Sequence, residues 1–184
     1  MSRLSGSVRV VGAGLLGTSL GLALRKLGVD VILSDTSRAN QALAIDYGAG
    51  REATEQDSPL LIVVCVPPDH TAGIVAAELK AFPTAVVTDV ASIKQPVLDE
   101  LKTLSADLGR YVGSHPMAGR ERGGAIAGRA DLFIGRPWVV VPNPDSSQAA
   151  IDLITDLALA VGSVPVNMEA IEHDHAVAAV SHVP

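Results

Sequence analysis

Residues Val8-Arg9-Val10-Val11-Gly12-Ala13-Gly14-Leu15-Leu16-Gly17-Thr18-Ser19-Leu20 set a short apolar run, a G-x-G-x-x-G turn and the start of a helix in direct succession near the N-terminus. No other stretch confines the fold as tightly, because each glycine answers a separate steric demand of a strand-turn-helix unit that cradles phosphates. Gly12 allows the tight turn, Gly14 lets the backbone approach a pyrophosphate with no Cβ in the way, and Gly17 lets helix and strand pack closely. The unpaired N–H groups and positive dipole end of a helix starting near Leu15 then face the phosphates.

A chain with 17 glycines can meet this spacing by chance, so the residues that follow carry weight. A second apolar run, Val29-Asp30-Val31-Ile32-Leu33-Ser34, ends at Asp35, about twenty residues after the glycines, where a dinucleotide fold places the acid that holds a ribose. The alternative is that Asp35 caps a helix beginning near Ser37. The expected cofactor-binding set is Gly12, Ala13, Gly14, Leu15, Leu16, Gly17, Asp35, Val66, Pro67 and Ser92. NAD is the expected dinucleotide, because Asp35 would face the 2′-phosphate of NADP, although Arg38 stands near enough in sequence to offset that charge.

Strands and helices continue to alternate. A helix is expected from Arg38 to Tyr47, and a buried strand over Leu60-Leu61-Ile62-Val63-Val64-Cys65-Val66 that must stop at Pro67-Pro68. A helix from Asp69 to about Lys80 and a strand from Thr84 to Val90 follow. The next helix is expected from about Ile93 to Leu108, with Ser92 as N-cap and Pro96 in its first turn. Further strands are expected at Arg110 to Ser114, at Pro137 to Pro142 and at Val164 to Val166, with an amphipathic helix from Gln148 to Val161 between the last two. This is the order of a Rossmann-type α/β fold, a doubly wound, mostly parallel sheet with helices on both faces. It occupies residues 1–166. Residues 167–184 read as the start of a helical domain, and a chain stopping inside an apolar helix suggests that the rest of that domain is missing.

Hydrophobic residues make up 48% of the chain and aromatic ones only 3%. The core must therefore be built from Val, Ile, Leu and Ala, as in buried parallel strands. A net charge of −6 argues against a nucleic-acid or anionic-membrane surface and leaves a small molecule as the expected partner. Cys65 is the sole cysteine; inside an apolar run it reads as core filler, and no disulfide within the chain requires an oxidising compartment. Arg3 and Arg9 before an apolar stretch resemble a signal peptide, but the glycine turn fits the dinucleotide fold better. No run is long enough to span a membrane. A cytoplasmic protein with no metal site is expected.

Ser92 and His115 each follow an expected strand, so both should project at the carboxyl edge of the sheet, where ligands of such folds bind. His115 precedes a glycine-rich, charged segment, and a histidine there can take a proton from a substrate hydroxyl, a role worth roughly 10²–10⁴ in rate. Ser92 can orient it while also capping a helix. His70, His173 and His175 read as structural or surface residues. Arg120, Arg122 and Arg129 offer positive charge to an anionic substrate or are solvated loop charges.

Four segments carry a resemblance: Gly12 to Leu20, Asp89-Val90-Ala91-Ser92-Ile93-Lys94, Gly113-Ser114-His115-Pro116-Met117-Ala118-Gly119, and His173-Asp174 followed by Ser181-His182-Val183-Pro184. Together they resemble the prephenate dehydrogenase family of tyrosine biosynthesis, with G-S-H-P-M-A-G the specific part. The resemblance implies NAD-dependent oxidative decarboxylation of prephenate to 4-hydroxyphenylpyruvate, or the same chemistry on arogenate. It implies that His115 bonds the ring hydroxyl and draws off its proton, that Ser92 lies near His115 and the nicotinamide, and that His182 joins them at the substrate. It also implies a homodimer formed through a helical C-terminal domain. Val183 stands where the family's S-H-L-P-H motif has leucine. An NAD-binding module without activity is the reading from a different class.

Overall fold

The computed structural model describes residues 4–119 and 123–181. Five strands, β1 (Val8–Val11), β2 (Val31–Ser34), β3 (Arg51–Glu52), β4 (Leu61–Val64) and β5 (Val86–Asp89), form a parallel sheet in the order β3-β2-β1-β4-β5. The chain steps outward from β1 to β3 and then returns to the other side of β1, so the order reverses between β1 and β4. That reversal opens a crevice at the carboxyl ends of these two strands.

Both sheet faces are covered. Val8 and Val10 of β1 and Leu61 and Val63 of β4 share a core with Leu20 and Leu24 of α1 (Leu15–Lys26) and with Ile154 and Leu157 of α5 (Gln148–Ala160). The alternate residues Val11, Ile62, Val64 and Val87 pack against Val75 and Leu79 of α3 (Pro68–Ala81) and Leu98 and Leu101 of α4 (Gln95–Thr103). Burial on both sides explains why the strands are apolar without alternation. Ala44 of α2 (Arg38–Asp46) joins the first of these cores, and the helix is capped by Ser37, whose Oγ accepts the Asn40 N–H at 3.2 Å.

A second sheet, in the order β6-β7-β8, extends the first through one parallel bridge between Val87 and Tyr111. Strand β6 (Val112–Pro116) runs antiparallel to β7 (Pro137–Pro142), and β8 (Val164–Asn167) runs parallel to β7. The fold is the expected mostly parallel α/β type.

Two elements differ from the sequence reading in ways that bear on the site. Strand β6 starts two residues later than expected, because Leu108–Arg110 form a short 3-10 turn. Arg110 locks that turn by donating to the carbonyls of Leu79 and Phe82 at the end of α3 and of Ala85 just before β5. His115 therefore lies within β6, opposite Val139, and does not follow the strand. Helix α4 starts at Gln95 and ends at Thr103, and Ser92 is not its N-cap. The cap comes from Asp174, whose carboxylate accepts the N–H groups of Lys94 at 2.8 Å and Gln95 at 2.9 Å.

Asp174 belongs to α6 (Ala170–Ser181), which is docked at its start: Ala170 packs with Val139 and Val141 of β7, and His173 is 1% exposed. Further along, Ile171 and Val180 stand in solvent at 54% and 70% exposure. Among the described residues, no helix is long and apolar enough to cross a membrane.

Candidate active site

The glycine turn lies at the mouth of the crevice. A Cβ on Gly12, whose φ is +104°, would meet the Cys65 carbonyl oxygen at 2.2 Å, and one on Gly17 would meet the Gly12 carbonyl oxygen at 1.8 Å. Both positions are closed to side chains by the backbone itself. Gly14 has nothing within 4 Å of such a Cβ. It precedes Leu15, the first residue of α1, and no side chain caps that helix, so its first-turn N–H groups are left for a ligand.

Asp35 is tied to this turn. Its Oδ2 accepts the Ala13 N–H at 2.7 Å and its Oδ1 accepts the Ser37 N–H at 2.7 Å. The α2 cap is thus Ser37 and not Asp35, and Asp35 braces the start of the glycine turn. Each oxygen keeps acceptor capacity for a ribose hydroxyl. Ala13 is fully buried with its amide held by Asp35, and Gly17 is buried too, so these two shape the site from beneath.

Two clefts run outward from the turn and share Gly14 and Val66. One, of about 660 Å³, is lined by Gly12, Asp35, Asn40, Pro67 and His70; the other, of about 350 Å³, by Leu15, Leu16, Ser92 and His115. Residues at or just past the carboxyl ends of β1, β2, β4, β5 and β6 thus line two adjoining clefts that together form the groove. A separate groove of about 600 Å³ between α4 and the start of α6 contains none of the residues singled out from sequence.

At the far end of the groove His115 Nδ1 lies 2.9 Å from His173 Nε2, and His173 Nδ1 lies 2.8 Å from Asp174 Oδ1. His173, read from sequence as structural or surface, is buried and backs His115. The adjacent His173-Asp174 pair was the signal available, but its partner is 58 positions away in the chain. Burial pushes the His115 imidazole down to about 4, with the neighbouring His173 and Lys94 acting the same way against the pull of Asp89 and Asp174. His115 is a neutral acceptor near pH 7.

A buried polar floor lies below. Asp89, at the end of β5, forms an ion pair with Lys94 and accepts the Tyr111 hydroxyl at 2.7 Å and the Ala91 N–H at 3.0 Å. Burial draws Lys94 below the ordinary lysine value while Asp89 opposes the shift. Asp89 and Lys94 bound one of the segments that carry the resemblance, but neither takes a role there, since a lysine after a strand reads as a surface charge. Cys65 is inert: burial raises its thiol to about 12, so it stays protonated.

Other candidates fall elsewhere. Arg129 forms a two-point ion pair with Asp131 in solvent, at 2.8 and 2.9 Å, and His175 stands outside the relay. Arg120, Arg122 and His182 lie outside the described residues.

Because His115 titrates near 4 when folded and near 6.5 when not, the unfolded chain binds more protons between these values. The linked stability is fully present above about pH 6.5 and is lost as pH falls toward 4, on the order of 3 kcal/mol in all. Urea unfolding at pH 7 and pH 4.5 should show a steeper acid loss in the parent than in His115→Asn; equal losses would rule out this linkage.

A parallel sheet whose strand order reverses above a glycine turn, with a ribose-positioned acid on the neighbouring strand, defines a nucleotide-binding domain of the Rossmann type. Residues 20–167 match the family model described as the nucleotide-binding domain of prephenate dehydrogenase, and the chain belongs to that family. The probable prephenate dehydrogenase NovF of Streptomyces niveus is 41% identical over 175 residues, which cover 95% of this chain and 48% of that protein. Cyclohexadienyl dehydrogenase of Zymomonas mobilis is 32% identical, with coverage of 96% and 63%. Among solved structures, prephenate dehydrogenase from A. aeolicus in complex with hydroxyphenyl propionate and NAD+ has a TM-score of 0.85 at 25% identity, covering 96% of this chain and 64% of that one. Synechocystis arogenate dehydrogenase has a TM-score of 0.86 at 27% identity, with the same coverage. The chain spans about half the length of the first of these curated relatives and 63% of the second.

Proposed function

We propose that the protein binds NAD along the groove and takes part in the oxidative decarboxylation of prephenate to 4-hydroxyphenylpyruvate. The observation that carries this reading is the meeting of His115 and Ser92 with Gly14 in one cleft, which sets a neutral imidazole beside the place for a nicotinamide. The open space at Gly14 fits a pyrophosphate against the backbone, and Asp35 fits the adenosine ribose. Bound NAD supplies the hydride acceptor. His115 holds the hydroxyl on the ring carbon that loses hydride and accepts its proton; carbon dioxide leaves as the ring becomes aromatic. Ser92 orients that hydroxyl, so the protein supplies position and one base.

Arogenate is the second substrate reading, favoured by the likeness to the Synechocystis arogenate dehydrogenase. In this proposal residues 1–166 form the cofactor domain, residues 167–184 begin a helical domain that joins two copies, and His182 reaches the substrate. A cytoplasmic location accords with this biosynthetic role. The test is NADH formation with prephenate and with arogenate in a form of the protein that binds NAD. Formation with neither would overturn the reading.

The glycines separate cofactor binding from folding. Gly14→Ala should cost at most about 1 kcal/mol of stability, as an N-cap change, yet weaken NAD binding tenfold or more because its methyl enters the groove. Gly17→Ala should cost about 3 kcal/mol or more, since a backbone oxygen blocks the methyl. Thermal unfolding and calorimetric titration of both variants check this; equal loss of affinity at equal stability would refute the division.

A further inference from the structure

We propose that Asp174, acting through His173, fixes which nitrogen of His115 carries the proton and leaves Nε2 of His115 free to accept one from the substrate. The inference deepens the dehydrogenase reading above and, for the substrate step, rests on it.

The argument starts at the N-terminus of α4. Backbone amides can only donate, and Asp174 receives one on each oxygen, from Lys94 on Oδ1 and Gln95 on Oδ2. Both oxygens act as acceptors, an arrangement that favours the ionised carboxylate. Although burial raises the Asp174 carboxyl, the N–H groups of Gln95, His173 and Lys94 outweigh it and hold the group below the ordinary range. The same Oδ1 lies 2.8 Å from His173 Nδ1. Two acceptors cannot bond, so His173 Nδ1 carries a hydrogen.

With its single ring hydrogen on Nδ1, His173 presents a lone pair at Nε2. His115 Nδ1 is 2.9 Å away and must be the donor. The rings meet at 77° with centroids 5.1 Å apart, edge toward face and not stacked. A neutral His115 with its hydrogen on Nδ1 has a bare Nε2, the form a base needs. The helix cap and the proton inventory of the site are thus one device: the acceptor character that α4 demands of Asp174 passes through His173 to His115. Asp174 and His173 are positioning residues, since neither needs to touch the substrate. Partners of this kind, one step removed from the reacting group, typically change activity about 10–100-fold when removed.

The test is ¹⁵N-resolved NMR of the imidazoles in the 184-residue chain, recorded without substrate, in the parent and in Asp174→Ala. The parent should show His115 and His173 each protonated on Nδ1 alone. In Asp174→Ala, His115 should populate both tautomers, and in assays kcat should fall about 10–100-fold while NAD affinity is kept. A parent His115 protonated on Nε2 would overturn the proposal, as would a folded Asp174→Ala protein whose His115 keeps the parent pattern. If the variant does not fold, the parent spectrum decides. Since the spectra need no turnover, failure of the dehydrogenase reading would show separately, as absent NADH formation beside the expected tautomers.

Discussion

His115→Asn is expected to lower kcat by roughly 10²-fold or more in a catalytically competent form of the protein while leaving NAD affinity nearly unchanged. Asparagine keeps a polar side chain of similar reach, so the cleft stays filled and the ring hydroxyl can still find a partner. It has no basic nitrogen. The loss therefore falls on the step in which the hydroxyl proton leaves with the hydride. The groups proposed for the cofactor, at the glycine turn and Asp35, lie on β1, α1 and β2 and are untouched. Steady-state kinetics with calorimetric NAD titration separates the two effects, and a kcat within about threefold of the parent would reject His115 as the base.

NADP should bind more weakly than NAD by up to about 10³-fold. Asp35 stands where the ribose 2′ position falls in such folds, and two unit charges about 4 Å apart at an effective dielectric near 20 repel by roughly 4 kcal/mol. Ion screening and Arg38, which lines a neighbouring cleft with Asp35 and Gln41, reduce this figure. The Asp35 carboxylate cannot swing clear without giving up the Ala13 and Ser37 amides that fix it. Comparable dissociation constants for the two cofactors would sink the prediction.

Much of the fold was legible because its signals are local. The glycine turn, the prolines at both ends of β7 and the serine before α2 each act within a few residues, and β7 has the expected limits from Pro137 to Pro142. Strand β6 was displaced because Arg110, which reads locally as the start of a strand, is held instead by three carbonyls between the last turn of α3 and the start of β5. The clefts bring together Gly12, Gly14, Leu15, Leu16, Asp35, Val66, Pro67, Ser92 and His115, all from motif positions. His173, Asp174, Asp89 and Lys94 were not legible as site residues. Their roles depend on partners in other elements, and a buried lysine or a helix cap supplied from a distant helix leaves no periodic trace in sequence.

The cap that Asp174 lends to α4 also orders events during synthesis. All five strands of the larger sheet have been made once Asp89 is in place, and α4 follows within a few residues. Its first two amides nevertheless wait for a carboxylate 79 and 80 positions downstream. Closing a flexible loop of that size costs roughly 4 kcal/mol in chain entropy, beyond a constant, and at 5–20 residues per second the ribosome needs roughly 4–16 s to deliver it. The strands that carry the glycine turn are therefore made several seconds before the carboxylate that caps α4.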